Sequence, residues 1–265
     1  RDGVMSRGLE MCIRDRLSGV GLHTGEHVNI TFKPAPADTG LVFVREDIEG
    51  DNLINAHIKY ISNTDRGTNL DNGVFRIHTS EHVLAAITGL EIDNCFICLD
   101  GPEVPIMDGS SKFFINALEE AKIVEQNVLR EEFFPSESIT YECEDSGSKI
   151  SIIPDDNYKV NTIVDYKTKV LGEQEASINH ISEFKEEISS ARTFSFLHEL
   201  ETLLENGLIK GGDLNNAIVY VDKPLAESNM DILKKAFNKD SISVTPNGIL
   251  DNLDLHYPNE AARHK

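Results

Sequence analysis

The sequence of 265 residues has few basic residues, no long apolar run and little cysteine. It contains 25 Lys and Arg against 45 Asp and Glu, and the net charge of −20 argues against a surface for nucleic acid or an anionic membrane. No apolar run reaches the roughly 18 residues of a membrane span, since Val83–Leu90 is followed by Glu91. No signal-peptide core lies near the start. These absences predict a cytoplasmic protein without nucleic-acid or membrane partners.

The four cysteines do not form a metal-binding or redox set. Cys95 and Cys98 have C-x-x-C spacing, which is typical of such sites. They lie in Ile92–Leu99, a segment with strand character, and residues three apart on a strand point to opposite faces. The sequence has no second C-x-x-C pair. We therefore expect Cys95 and Cys98 to be buried structural thiols.

Hydrophobic residues make up 40% of the chain, which is enough for a globular protein with a substantial core. Polar and apolar residues alternate along His27–Phe32, a pattern that predicts a half-buried strand. A helix is predicted to begin at Thr79 or Ser80, and a second helix is predicted at about Ser110–Ala121. The polar stretch Glu125–Glu132 predicts a bridge between two domains.

We divide the chain into three parts. Residues 1–16 have no clear period and no initial methionine, so we expect a non-native leader, with order beginning at Leu17. Residues 17–126 are the first α+β unit, and residues 131–265 are the second. We expect the second unit to be incomplete, because no cap, Gly or Pro marks its end. Its predicted strands and helices are Ile139–Glu142, Lys149–Ile153, Lys159–Asp165, Leu197–Glu205, Ala217–Val221 and Leu225–Phe237.

The pair Glu81-His82 lies in the first turn of the first predicted helix, directly after a strand. Neighbouring helical residues are about 100° apart around the axis, so the His can bind a metal ion while the Glu reaches a water on it. The helix N-terminus stabilises the ionised carboxylate. The order of the two residues, with Ala86 further on, excludes the H-E-x-x-H pattern of zinc proteases. An exposed polar pair on an amphipathic helix is the ordinary alternative.

Two loops could line a pocket. Gly101–Ser110 joins a strand to the second helix, and its two prolines stiffen it. Asp108 in this loop is also a good capping residue, so helix capping is the alternative. Gly19–Gly25 carries three glycines and can form a tight turn, but it lacks the ending of a phosphate loop. His23 at its tip fits a turn as well as a functional role.

Together and in this order, the motifs of the chain resemble the UDP-3-O-acyl-N-acetylglucosamine deacetylases. The resemblance runs from about Ser18 to Lys265 and is carried by motifs that are weak singly and specific as a co-linear set. These motifs are Ser18–Gly25, Thr79–His82, Asp93–Asn94, Pro105–Ser110, Ala191–Phe194, Gly211–Gly212 with Asn216–Val219, and Arg263–Lys265.

The resemblance implies an α+β fold of two similar domains, each a β-sheet layered with helices. The helices would pack between the sheets, and the site would lie at the domain junction. One catalytic Zn²⁺ would be held by two His and one Asp, with water in the open position. By this resemblance His82 and His264 are zinc ligands, and Glu81 is the general base.

The same resemblance gives roles to three further residues. Thr193 would donate a hydrogen bond to the developing oxyanion, and Lys265 would contact the diphosphate of the substrate. Asp108 would line the site. The implied substrate is UDP-3-O-acyl-N-acetylglucosamine, which loses its N-acetyl group in the committed step of lipid A biosynthesis in Gram-negative bacteria.

The chain departs from the family pattern at its end. In the family an Asp ligand follows the second His by four residues, whereas one residue follows His264 here. We therefore expect the third ligand and the general acid, a later His, beyond residue 265, and an inactive chain as given. The long stretch Asn238–Asn259 resembles the variant that is fused to a C-terminal 3-hydroxyacyl-carrier-protein dehydratase.

Three alternatives stay open from the sequence. The first is a catalytically inactive module that binds a UDP-sugar lipid. The second is an acidic scaffold whose His and Glu residues are ordinary surface groups. The third is a different zinc amidohydrolase, such as a peptidase, which the lack of a second His on the first helix disfavours.

Overall fold

A computed structural model of the protein describes residues 3–10, 16–64, 66–200, 210–223, 231, 233–235, 237, 239–251 and 254–265. The first half of the chain, in order, comprises β1 (Met5–Leu9), β2 (Leu17–Val20), β3 (His27–Pro34), β4 (Leu41–Arg45), β5 (Leu53–Asn55), β6 (Ile61–Asn63), β7 (Asn69–Asp71), β8 (Arg76–Ile77), α1 (Glu81–Gly89), β9 (Cys95–Leu99), α2 (Lys112–Glu120) and β10 (Ile123–Leu129). A short 3₁₀ turn, Ile58–Tyr60, precedes β6.

The first half is built on a five-stranded sheet in the order β2-β3-β9-β4-β5. β4 and β9 run parallel, and the other neighbours are antiparallel. β6, β7 and β8 form a separate antiparallel sheet. In the interior strand β3 the apolar residues Val28, Ile30 and Phe32 are buried, because alternate side chains point to one face. This confirms the strand predicted at His27–Phe32.

Helices α1 and α2 contact each other and bury their apolar faces in the first core. α1 buries Val83, Ala86 and Ile87, and α2 buries Phe114 and Leu118. These positions follow the spacing of one helix face, which explains why the two segments form helices in this context. The two helices predicted in the first half are confirmed.

The second half comprises β11 (Ile139–Glu142), β12 (Lys149–Ile152), β13 (Val160–Asp165), β14 (Glu173–Ile178), a 3₁₀ turn (Ile181–Glu183), α3 (Phe184–Glu187), β15 (Phe194–Phe196), β16 (Ile218–Tyr220) and α4 (Glu260–His264). β11 pairs with β12 and β13 with β14, both antiparallel, and β15 pairs with β16 in parallel. The strands predicted at β11, β12, β13 and β16 are confirmed. Much of the helices predicted at Leu197–Glu205 and Leu225–Phe237 lies outside the described residues.

The two halves meet at α1 and α3. Ile178, Ile181 and Phe184 of the second half belong to the core of the first half. A Cβ atom on Gly89, at the end of α1, would lie 2.1 Å from Cδ1 of Phe184, so the helix and the ring touch directly. A second core gathers around Phe196 and Tyr220, and α4 packs on β13 and β14. The predicted two-domain α+β fold is confirmed.

The expectation that order begins at Leu17 is wrong. β1, within residues 1–16, pairs antiparallel with β10, and Leu9 opposite Ile123 is buried. The predicted polar bridge Glu125–Glu132 is wrong in its first part for the same reason. The strand that pairs with this stretch, β1, lies in residues 1–16, for which the sequence predicted no strand. Over the part of the chain that the structure describes, no helix is long and apolar enough to cross a membrane.

The two central cysteines are buried, as the strand pattern predicts. Cys95 and Cys98 are free thiols on β9, and each is at most 2% exposed. Burial raises the pKa of Cys95 to about 12 and that of Cys98 to about 11, so both stay protonated near neutral pH. Among the described residues, neither thiol belongs to a group of three potential metal ligands.

We expect the double substitution Cys95→Ser and Cys98→Ser to lower the free energy of unfolding by about 1–3 kcal/mol, because two hydroxyl groups would replace thiols in an apolar layer. Zinc stoichiometry should be unchanged. Urea unfolding and elemental analysis measure the two quantities. Loss of zinc from the double variant would contradict the assignment of these thiols to the core.

Candidate active site

A cavity of about 390 Å³ opens where the two halves meet. Its walls include side chains of both halves: Glu81, His82, Ile178, Phe184, Ala191, His264 and Lys265. The structure therefore brings together four of the six residues that the sequence analysis singled out, from positions almost two hundred residues apart. The remaining two, Thr193 and Asp108, lie elsewhere.

Two imidazole rings face each other in this cavity. The ring centroids of His82 and His264 are 5.2 Å apart, and the planes are at 88°. Burial lowers the pKa of His82 to about 4. Burial, and then the neighbouring His82, lower the pKa of His264 to about 3. Both rings are therefore neutral near pH 7, which is the form that binds metal ions.

The free nitrogens of these rings fit a metal ion. Nδ1 of His82 is buried and has no hydrogen-bond partner among the described residues, an uncommon state for a native polar atom. Nδ1 of His264 lies 3.3 Å from the carbonyl oxygen of Ala191. If Nδ1 carries the proton, it donates a hydrogen bond to that carbonyl. Nε2 then has a lone pair for a metal ion, which is a common arrangement for metal-binding His.

The donor set suits zinc but is short of one ligand. Imidazole nitrogens are ordinary zinc ligands, and a catalytic site has three protein ligands. Within the described ranges, no group of three or more His, Cys, Asp or Glu is placed to hold a metal ion. The described residues thus supply two of the three donors.

Glu81 lies beside His82 in the first turn of α1. Burial raises the pKa of Glu81, and the Thr68 N–H, which donates to Oε2 at 2.8 Å, partly opposes this shift. A carboxylate with a raised pKa is a stronger proton acceptor. The helix N-terminus acts against the shift, because it stabilises the ionised form. Ser80 precedes it as N-cap residue, but its hydroxyl donates to the Thr68 carbonyl and makes no capping hydrogen bond.

Lys265 lies at the exposed edge of the cavity. Its Nζ is 5.6 Å from the ring centroid of Phe194, and that ring is 6.4 Å from the ring of His264. The ammonium group is therefore held beside the imidazole pair and open to solvent, where it can meet an anionic group of a ligand.

Thr193 lines a second, apolar cavity. This cavity lies next to the first one along Phe194, and its walls include Leu22, His23, Leu200, Val219 and Phe237. The backbone of Thr193 is fixed on both sides, since its N–H donates to Gly109 O at 2.7 Å and its carbonyl accepts from Ile218 N–H at 2.9 Å. The structure thus places Thr193 in the wall of the second cavity and not of the first, and its proposed contact with an oxyanion stays a prediction.

Asp108 lines neither cavity. Its Oδ1 accepts hydrogen bonds from the N–H and the hydroxyl of Ser110, at 3.0 and 2.7 Å. The carboxylate is used within the turn before α2 and does not cap that helix, whose N-cap residue is Ser111. Asp108 lies outside the cavity with the histidines, and its neighbour Gly109 accepts the hydrogen bond from the Thr193 N–H.

A buried ion pair that the sequence analysis missed holds α4 in place. Nε of Arg192 donates to Oε1 of Glu260 at 2.8 Å, and the Glu260 side chain is fully buried. The N–H groups of Arg192 and His256 also donate to this carboxylate. Burial alone would raise the pKa of Glu260, but the hydrogen bonds from Arg192 lower it, so the group is ionised. The pair fixes His264, four residues on, against the segment that carries Thr193.

Fold and cavity together define a two-domain α+β protein with a histidine-lined site between its halves. Residues 13–233 match the family model of UDP-3-O-acyl N-acetylglycosamine deacetylase, and the chain belongs to that family. It is 44% identical over 252 residues to a bifunctional enzyme LpxC/FabZ of Chlorobaculum tepidum, and 41% identical over 249 residues to one of Porphyromonas gingivalis. Each match covers 94% of this chain.

The chain spans about half the length of these bifunctional relatives, namely 54% of each. It is also 36% identical over 251 residues to a UDP-3-O-acyl-N-acetylglucosamine deacetylase of Acidithiobacillus ferrooxidans, and this match covers 94% of the chain and 74% of that enzyme. Both kinds of relative are therefore similar to nearly all of the chain.

We expect Glu260→Ala to lower the free energy of unfolding by about 3–5 kcal/mol, because it leaves the Arg192 guanidinium buried without its partner. Arg263→Ala is the matched control on the same helix. Its side chain is 19% exposed and pairs with the half-exposed Glu187, so its loss leaves no buried charge without a partner, and we expect a smaller effect of about 1 kcal/mol. Urea unfolding of both variants measures the difference. Equal effects would show that the buried pair has no special part in docking α4.

Proposed function

We propose that this chain is part of a zinc-dependent enzyme. The enzyme would remove the N-acetyl group of UDP-3-O-acyl-N-acetylglucosamine in lipid A biosynthesis. The observation that carries this proposal is the meeting of Glu81, His82 and His264 in one cavity of a chain in this family. The proposed substrate is taken from two relatives, of Acidithiobacillus ferrooxidans and Bdellovibrio bacteriovorus, which are both named UDP-3-O-acyl-N-acetylglucosamine deacetylase.

His82 and His264 would hold the zinc ion through the nitrogens described above. When bound, zinc would act as a Lewis acid and lower the pKa of a water molecule in the cavity. The structure supports this role through two neutral rings and one buried nitrogen without a partner. A third ligand has to come from outside the described set.

The side chains of the cavity would share the hydrolysis. Glu81 would accept the proton of the attacking water, and its raised pKa brings its basicity closer to neutral pH. The Thr193 hydroxyl would donate a hydrogen bond to the carbonyl oxygen as negative charge develops there. Lys265 would pair with the diphosphate of the substrate. The O-acyl chain would suit the cavity of about 390 Å³ that holds the histidines, since an apolar part of its wall is formed by Ile178, Ile181, Phe184 and Ile188.

A catalytically inactive module that binds a UDP-sugar lipid is the second candidate. One observation favours it, namely that the described residues include no group of three potential metal ligands. The two candidates differ in zinc binding and in turnover, which the following experiments measure.

We expect His82→Gln and His264→Gln each to abolish zinc binding at concentrations that saturate the unchanged chain, because each removes one of two imidazole donors. His57→Gln serves as control, since His57 is exposed and caps a 3₁₀ turn away from the cavity. Competition with a chromophoric chelator measures the affinity. Unchanged zinc binding in the two cavity variants would refute the assignment of the ligands.

Glu81→Gln, in a catalytically active form of the protein, should keep zinc but reduce kcat by roughly 10²–10⁴-fold, because the amide has the same shape and cannot accept the proton. Steady-state kinetics and metal analysis of the same preparation test this. If zinc content falls in parallel with activity, Glu81 is a ligand and not the base.

A further inference from the structure

The carboxylate of Glu103 is fully buried in the loop that follows β9. Its Oε1 accepts a hydrogen bond from the Thr79 hydroxyl at 2.7 Å and from the His23 N–H at 3.0 Å. Its Oε2 accepts from the N–H and the hydroxyl of Thr24, both at 2.8 Å. One side chain therefore joins three segments: its own loop, the glycine-rich loop Gly19–Gly25 and the start of α1.

None of these donors carries a charge. A carboxylate that is removed from water is tolerated only when its oxygens are well provided with donors, so the loss of any one of them is costly. The surroundings also leave no freedom, because a Cβ atom on Gly21 would lie 2.4 Å from Oε2 of Glu103. The arrangement specifies one relative placement of the three segments.

Thr79 is held in a strained backbone conformation. Its φ is +56°, in the left-handed region that β-branched residues rarely adopt, and the residue is buried. Its hydroxyl is the donor to Glu103, and Ser80, Glu81 and His82 follow directly. The turn at Thr79 sets the direction in which α1 leaves β8, and Glu103 holds that turn.

The other side of the carboxylate places His23 beside Glu81. A Cβ atom on Gly67 would lie 3.4 Å from Oε1 of Glu81 and 3.8 Å from Nε2 of His23, so both side chains border the same small space. Nε2 of His23 is also 3.2 Å from the carbonyl oxygen of Arg66.

We propose that Glu103 is a positioning residue, which fixes the start of α1 and thereby the orientation of Glu81 and His82. The proposal rests on the proposed function insofar as these two side chains serve a zinc site. Glu103 itself lines neither cavity.

A double-mutant cycle on the 265-residue chain tests this. Glu103→Gln keeps the shape but replaces one acceptor oxygen by an amide that faces donors. We expect its zinc affinity to fall about tenfold or more. Thr79→Gly removes both the hydroxyl and the strain, so the loss caused by Glu103→Gln should be clearly smaller in that background. The ¹⁵N shifts of the His82 imidazole should change in Glu103→Gln and report its orientation without metal.

Asp100→Asn is the matched control. Asp100 precedes the same loop, and its carboxylate accepts from the Asn29 N–H at 2.7 Å and from its side-chain amide at 2.6 Å, with no contact to α1. Urea unfolding should show that both variants are destabilised, whereas only Glu103→Gln changes zinc affinity and the His82 shifts. If Glu103→Gln does not fold, Thr79→Val removes the same hydrogen bond from the other side and should give the same two changes.

The outcomes separate the two proposals. Destabilisation by Glu103→Gln with unchanged zinc affinity and unchanged His82 shifts would show a merely structural carboxylate and overturn the inference. Additive effects of Glu103→Gln and Thr79→Gly would overturn it as well. The proposed function fails if neither this chain nor a longer form of the protein binds zinc, and the His82 shifts alone then decide whether Glu103 positions α1.

Discussion

The candidate site depends on the buried ion pair between Arg192 and Glu260. Helix α4 has only five residues, too few to be stable by itself, so its position has to come from contacts with the rest of the protein. The ion pair provides them, since one carboxylate accepts from the Arg192 side chain and from two backbone N–H groups. Because His264 follows Glu260 by one helical turn, fixing the carboxylate also fixes the imidazole opposite His82.

The two histidines are thus placed by two different buried carboxylates. On the side of His82, Glu103 binds neutral donors and holds the strained turn before α1. On the side of His264, Glu260 binds a guanidinium. Burial of a charge is costly unless its partners are complete, so each carboxylate tolerates one arrangement of its neighbours. The positions of the two histidines are therefore fixed by Glu103 and Glu260, which do not line the cavity themselves.

The sequence predicted those strands and helices that a local pattern of polar and apolar residues determines. Alternation marked β3, and the Glu81-His82 pair was correctly placed at the start of a helix after a strand. Glu103 and Glu260 could not be found this way, because their partners, apart from the nearby His256 N–H, lie between 24 and 80 residues away. A Glu in sequence also looks like a surface residue. The sequence did not predict β10, because its pairing partner β1 lies in residues 1–16, which were interpreted as a non-native leader. Burial depends on contacts between distant segments, which periodicity does not reveal.

The contact between Gly89 and Phe184 has a consequence for how the site can evolve. Both residues line the cavity between the halves, and α1 lies against the ring of Phe184 without space for a methyl group. The width of the cavity is therefore set by the lack of a side chain at one position. A larger residue at position 89 would push Phe184 away from α1 and change the width of the cavity that holds His82 and His264. Position 89 is seven residues along the chain from His82. A mutation at Gly89 can therefore alter the site without changing any residue to which a chemical role is given.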